Sequence, residues 1–193
     1  MCDEPERTAG SHDHAVHVEP MEDSFRVWNC AVMLSFTKHG ALIGMQNLRS
    51  GREYIQRPGD GARSMPFQLC LRLSDGQEVR VGPEQMGTAA LSGTEVPGQG
   101  VKLTFSFCGL RIAKDEYEMH LEYSVTLLPN DPESCWEIAV RSEDPRLTIE
   151  TVLFPYIHGV QLSEGGQEDT LLFPRYAGLR VPGFIATADR NLL

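Results

Sequence analysis

The residues best suited to binding a ligand are concentrated near the end of the sequence, between positions 154 and 183. Aromatic rings and arginine guanidinium groups suit the apolar C–H faces and the hydroxyl groups of sugars, and the same side chains are enriched at buried protein contacts. Prolines at positions 155, 174 and 182 favour a fixed backbone there. We therefore predict that this segment meets either a sugar or a neighbouring protein domain, through Phe154, Tyr156, His158, Phe173, Arg175, Tyr176 and Arg180.

Two histidines and several acidic residues could carry acid–base chemistry. His120 lies between Glu118 and Glu122 on the polar face of a predicted strand, where an exposed sheet-face histidine is expected. His158 follows Pro155 in an aromatic loop, a position where an imidazole often meets a ligand. Neighbouring acids are predicted to be solvated at strand rims and in loops, at Glu116/Glu118, Glu143/Asp144 and Glu168/Asp169.

The sequence lacks the motifs of four large enzyme classes. It contains no GxGxxG, GxxxxGK[ST], GxSxG or HExxH, which the dinucleotide, P-loop, serine-hydrolase and zincin chemistries respectively require. A glycosidase carboxylate pair is defined by its separation across a cleft, which a sequence does not contain. We therefore assign no catalytic residue to this chain.

The cysteines and the histidines near the N-terminus could in principle bind a metal ion. The five cysteines, which include Cys2, are at least 27 positions apart, so none forms a zinc-binding or redox pair. Because the other four lie in apolar or strand-like runs, we predict reduced, buried thiols at Cys30, Cys70, Cys108 and Cys135. His12, His14 and His17 form a cluster without an obvious scaffold or fourth ligand. We predict no metal, no disulfide and no cofactor.

Strands must position these side chains, because apolar and polar residues alternate over most of the chain. Alternation is clearest over residues 101–107 and 117–127, and it recurs at 136–140 and 147–153. Residues 27–36, 40–48 and 68–73 are predicted as earlier strands, with turn signals at His39-Gly40 and Asp75-Gly76. Since one-sided strands need a second layer, we predict an all-β antiparallel β-sandwich with few or no helices.

Charge and composition divide the chain and exclude some partners. Residues 1–22 are polar and acidic and are predicted as a flexible leader, and residues 23–193 as one β-sandwich domain. A net charge of −10 disfavours nucleic acid and anionic membranes as partners. The acidic N-terminus differs from a signal peptide, so a cytoplasmic location is expected.

Two stretches resemble a known group of β-domains. Leu34-Ser35-Phe36 followed by residues 40–48 and 50–55 resembles the first hairpin of galactose-mutarotase-like supersandwich domains. Residues 151–155 with 171–174 and Gly178 are similar to the "strand, Phe-Pro, loop, Phe-Pro, Gly" segment in N-terminal domains of certain multidomain glycoside hydrolases. The resemblance covers roughly residues 27 to 183.

This resemblance implies a supersandwich-like domain that is incomplete at its C-terminus and lacks the catalytic barrel that follows in such hydrolases. The leading hypothesis is a non-catalytic domain of a carbohydrate-active protein, which supports or contributes to sugar binding and contacts carbohydrate or an adjacent catalytic domain. One alternative is an aldose-epimerase-like or mutarotase-like enzyme that uses His158 with a carboxylate as its acid–base pair. Another is a structural interaction module without sugar affinity.

Overall fold

A computed structural model defines the chain over residues 15–55, 66–98, 100–157, 160, 170–173 and 179–182. Within these ranges the only helical element is a short 3-10 turn at Pro83–Gln85, so the predicted all-β class is confirmed. The strands are β1 (His17–Pro20), β2 (Ser24–Trp28), β3 (Val32–Thr37), β4 (Leu42–Asn47), β5 (Arg52–Glu53), β6 (Gln68–Leu73), β7 (Glu78–Val81), β8 (Met86–Val96), β9 (Gly100–Ile112), β10 (Asp115–Leu127), β11 (Ser134–Arg141), β12 (Leu147–Leu153), β13 (Thr170–Phe173) and β14 (Leu179–Pro182).

The strands form three antiparallel sheets and a separate hairpin. Sheet one has the order β1-β2-β3-β4-β5, sheet two β12-β6-β7 and sheet three β11-β10-β9-β8, and β13 pairs with β14. Phe36 of sheet one lies 5.5 Å from Phe105 of sheet three between ring centroids, and Phe67, just before β6, lies 5.6 Å from Phe107. Sheets one and two therefore both supply side chains to a core on the inner face of sheet three, as the predicted sandwich requires.

The alternation read from the sequence predicts which face of sheet three is buried. Trp136 and Ile138 on β11 are only half-buried, because β11 lies at the edge of its sheet. Apolar positions of the alternating runs 101–107 and 117–127 on the two preceding strands are buried: Leu103, Phe105, Phe107, Met119, Leu121, Tyr123 and Val125.

The predicted strand over residues 27–36 is wrong, because the structure has a hairpin there. Strand β2 ends at Trp28 and β3 begins at Val32. The Asn29 side chain ends the first strand, since its Oδ1 accepts hydrogen bonds from the backbone N–H groups of Ala31 at 2.8 Å and Val32 at 2.9 Å. Such an asparagine turn replaces the ladder hydrogen bonds locally.

Sheet one begins inside the range assigned to the flexible leader. Residues His17–Pro20 pair with β2, and the His17 ring stacks on Trp28 at a centroid distance of 5.3 Å. The polar pattern concealed this strand because three of its four residues are exposed. His12 and His14 lie outside the described residues.

The prediction of buried cysteines is wrong at all four described positions. Cys30 and Cys70 are half-buried and Cys108 and Cys135 are exposed, and all four are free thiols. Cys108 and Cys135 occupy the strand positions that point away from the core, next to the buried Phe107 and the half-buried Trp136. Cys2 lies outside the described residues.

The prediction that the neighbouring acids are solvated is wrong for Asp144. Its side chain is only 7% exposed, because it is enclosed by Arg146 and the backbone of Glu118. By contrast, Glu116 is 73% exposed in a surface ion pair with Arg111. Glu168 and Asp169 lie outside the described residues.

Candidate functional site

The aromatic segment predicted from the sequence is only partly defined. Phe154 is half-buried, and its ring lies 5.8 Å from Tyr123 and 6.1 Å from Trp136 between centroids. Tyr156 is also half-buried, and its backbone N–H donates to the carbonyl of Pro66 at 2.9 Å. Phe154 therefore seals the edge of the core, so this ring is not a freely exposed stacking platform.

The other members of the segment are placed by their strands or lie beyond the described range. Phe173 pairs with Leu179 and Arg180 pairs with Leu172, so both belong to the β13–β14 hairpin. The remaining predicted contacts lie outside the described residues: His158, Arg175 and Tyr176.

A cleft opens between sheets one and three, at a place that the sequence did not indicate. Its volume is about 720 Å³, within the range of small-molecule sites. It lies between the β3–β4 turn and the start of β8. Its lining comprises Asp23, Thr37, Lys38, His39, Ala41, Pro83, Glu84, Met86, Gly87, Ala89 and Phe107.

The β3–β4 turn, which supplies Lys38 and His39, is fixed by contacts between Gly40 and the aromatic core. Gly40 has φ of +77°, and its carbonyl accepts a hydrogen bond from the buried Tyr123 hydroxyl. A Cβ at Gly40 would lie 2.8 Å from a Phe105 ring carbon, so only glycine fits. Burial raises the pKa of Tyr123, so this hydroxyl stays protonated and remains a donor.

The opposite wall is shaped by the 3-10 turn. Gly82 donates its backbone N–H to the Gln85 side chain at 2.8 Å, which closes the turn that carries Glu84. On the other side, the backbone N–H of Lys38 donates to the carbonyl of Asp23 at 3.3 Å and keeps these two residues together. The cleft thus has a charged, exposed rim.

The floor of the cleft is apolar, in contrast to its rim. Phe107 is 2% exposed and Met86 is 7% exposed, and Ala41 and Ala89 complete this surface. A ligand with an apolar face and polar edges matches this arrangement better than a wholly charged one. The His39-Gly40 turn was the one sequence signal at this place, but nothing in the sequence linked it to Glu84.

The outer face of sheet three carries a second, smaller depression of about 290 Å³. It contains a contact that the sequence did not predict, between the Cys108 Sγ and the His120 Nδ1 at 3.4 Å. His120 is exposed, as predicted. Glu122 and Arg141 also line the depression.

Further along this face, an ion pair joins the outer strands. Lys102 Nζ lies 2.7 Å from Glu137 Oε2, and this hydrogen bond lowers the pKa of Glu137 and raises the pKa of Lys102. Because Glu137 is exposed and Lys102 is only half-buried, solvent screens the pair and it adds little stability. No cluster of three or more metal-ligating side chains occurs within the described ranges.

Comparison with known proteins assigns no family. No protein-family model matches the sequence, and no curated protein matches it. No helix in the described part of the chain has the length and hydrophobicity that a membrane span needs.

Proposed function

We propose that this chain is a non-catalytic β-sandwich domain of a carbohydrate-active, glycoside-hydrolase-like protein, of the galactose-mutarotase-like kind, and that it contributes to sugar binding. The observation that carries this proposal is the cleft of about 720 Å³ with an apolar floor and a polar rim. The resemblance of residues 34–55 and 151–178 to such domains supports it.

The side chains at the rim have the chemistry that sugar hydroxyl groups need. The carboxylates of Asp23 and Glu84 accept hydrogen bonds, and the Lys38 ammonium and the His39 ring donate them. The C–H face of a sugar ring would pack against the accessible part of the apolar floor, at Ala89 and the exposed edge of Met86. A rim with two carboxylates and one ammonium also favours a neutral sugar. An acidic ligand would be repelled by the net charge of −10.

The segment after β12 has a different proposed role, as the contact with an adjacent catalytic domain. Phe154 and Ile157 both pack against the core, so the described start of this segment is fixed to the sandwich. The bond from Tyr156 to Pro66 ties the segment to the start of sheet two, and the bridge between Ile55 and Val160 ties it to the end of sheet one. A segment that is already held in place loses less conformational entropy when it docks to a partner domain.

Sugar binding by the cleft can be measured by NMR titration with a panel of neutral mono- and oligosaccharides. Glu84→Gln and Lys38→Met each remove one charged partner. Each should weaken binding by roughly ten- to a hundredfold, since a hydrogen bond to a charged group contributes ~1.5–3 kcal/mol. Glu133→Gln and Lys114→Met are matched controls, because both residues are exposed and lie outside the cleft. Equal weakening by the controls, or no binding by any sugar, would contradict the proposal.

The same samples separate the alternatives. Interconversion of sugar anomers above the uncatalysed rate, lost in His158→Ala, would instead assign a mutarotase-like enzyme. An empty glycan array together with no titration shifts would assign a structural interaction module.

A further inference from the structure

The outer face of sheet three holds a thiol and an imidazole in direct contact. Strand β9 places Cys108 opposite His120 of β10, and the Cys108 Sγ lies 3.4 Å from His120 Nδ1. Both side chains are exposed, so solutes reach them. In the tautomer with its hydrogen on Nε2, the imidazole Nδ1 is an acceptor that faces the thiol of Cys108.

The strand geometry brings this pair about. Phe107 and Leu110 are both buried although they are three residues apart, and Gly109 between them has φ of +79°. The register of β9 and β10 shifts between Tyr117 and His120. Such irregularities change the direction of side chains, and in this register the side chain opposite His120 is that of Cys108.

The depression beside the pair offers one positive and one negative group. Arg141 is the register partner of His120 on β11, and it forms no ion pair among the described residues. Glu122 lies two residues along β10 from His120 and accepts a hydrogen bond from Ser106 at 3.3 Å. A guanidinium and a carboxylate in one depression match the carboxylate and ammonium of an α-amino acid.

We propose that Cys108 is a site of S-thiolation by the disulfide of an amino-acid thiol, with His120 as its base and with Arg141 and Glu122 as the groups that hold the amino-acid head. This proposal does not depend on sugar binding by the cleft. No covalent modification was expected from the sequence at this position.

The reaction balances with the disulfide as its oxidant. The Cys108 thiol passes its proton to His120 Nδ1, and the thiolate attacks one sulfur of the small disulfide. A new S–S bond forms to Cys108 as the old S–S bond breaks, and the leaving thiolate takes the proton back from the imidazolium. The products are a mixed disulfide on the protein and one molecule of the small thiol.

Cys135 provides a control on the same sheet. It is exposed on β11 and its register partner is Thr126, so no imidazole lies opposite it. A difference in rate between Cys108 and Cys135 therefore reports the local environment and not exposure alone.

The experiment exposes the whole, fully reduced chain to cystine, and in parallel to the neutral 2-hydroxyethyl disulfide, and follows each cysteine by peptide mass spectrometry. We expect cystine to modify Cys108 about tenfold faster than Cys135, less than the gain from a base in a closed active site. His120→Asn should remove this advantage with both disulfides. Arg141→Met and Glu122→Gln should slow only the reaction with cystine, each by about threefold, as expected for partly solvated charge pairs.

Each result decides one part of the proposal. Equal rates at Cys108 and Cys135, or an unchanged rate in His120→Asn, would overturn the assignment of the reactive pair. The preference for cystine over 2-hydroxyethyl disulfide should fall in Arg141→Met and Glu122→Gln. If it stays unchanged, the assignment of an amino-acid disulfide as the substrate is wrong. Circular dichroism of each variant verifies folding, and these exposed side chains are not part of the core.

Discussion

Asn29 and Asn47 form the same local turn in this protein, but they differ in their hydrogen bonds to other segments. The Oδ1 of Asn47 accepts the backbone N–H groups two and three residues ahead, at 2.9 Å and 3.1 Å, as that of Asn29 does. Only Asn29 also joins distant segments, because its side-chain amide donates to the carbonyl of Leu128 at 2.8 Å and of Asp131 at 2.6 Å. Asn29 is 2% exposed and fastens sheet one to the β10–β11 loop.

Replacing Asn29 by Ala should lower the free energy of unfolding by about 2–3 kcal/mol, because it leaves the carbonyls and amides that it satisfies without partners. Asn47→Ala is the matched control and should cost about 1 kcal/mol, since its turn is solvent-exposed. Urea denaturation at neutral pH measures both. Equal losses would mean that the long-range hydrogen bonds of Asn29 add nothing.

At the scale of elements, an ion pair ties the start of β12 to β10. Arg146 donates to both carboxylate oxygens of Asp144, at 3.0 Å from Nε and 2.7 Å from Nη2. Its Nη2 also donates to the carbonyl of Glu116 at 2.7 Å, and its guanidinium lies 4.7 Å from the centre of the Tyr117 ring. The hydrogen bonds from Arg146 hold the pKa of Asp144 well below its ordinary value of 3.8.

A lowered pKa makes the contribution of Asp144 dependent on pH. The charged carboxylate is favoured by folding, so its contribution is complete above pH 3.8 and is lost as the pH falls through the lower folded value. The unfolding free energies of wild type and Asp144→Asn should therefore differ at neutral pH and converge in strong acid. Urea denaturation at a series of pH values from neutral to about pH 2 tests this.

Glu116→Gln is the control for that series. Among the described residues its side chain forms an ion pair only with Arg111, at the surface, so stability should change little at any pH. A difference between wild type and Asp144→Asn that stays constant down to strong acid would contradict the assigned role of the Asp144 carboxylate.

At the scale of the whole molecule, sheets one and three meet in an aromatic cluster around Phe105. This ring lies 4.6 Å from Tyr123, 5.5 Å from Phe36 and 5.8 Å from Phe25 between centroids. Trp136 is peripheral by comparison, because its ring contacts Phe36 at 5.9 Å and its indole N–H donates to Ser134 at 2.9 Å on the rim.

Truncation should reveal this difference. Alternation alone places Phe105 and Trp136 on the same face of their sheet, but the structure leads to different costs of truncation. Phe105→Ala should cost about 3–5 kcal/mol, because it opens a cavity between two sheets. Trp136→Ala should cost about 1–2 kcal/mol, since a half-buried ring at an edge strand loses less contact and leaves no closed cavity. Equal changes in denaturation midpoint would place both rings in the same environment.

The fold class and the buried face of sheet three could be predicted from sequence because alternation is a local property. Every second side chain of a strand points the same way, so Leu103, Phe105 and Phe107 identified the core without any tertiary information. The same rule failed for residues 27–36, where one asparagine turn divided an apolar run into two strands.

The sequence alone determined that this chain forms one-sided antiparallel strands that must be covered by a second layer. The tertiary structure decided which strands are neighbours, and therefore which side chains meet. Cys108 and His120 are twelve residues apart, and only the shifted register of β9 and β10 brings them into contact. The cleft likewise brings Lys38 of the β3–β4 turn and Glu84 of the 3-10 turn to one site. The packing of layers depends on contacts between residues distant in sequence, which local periodicity does not encode.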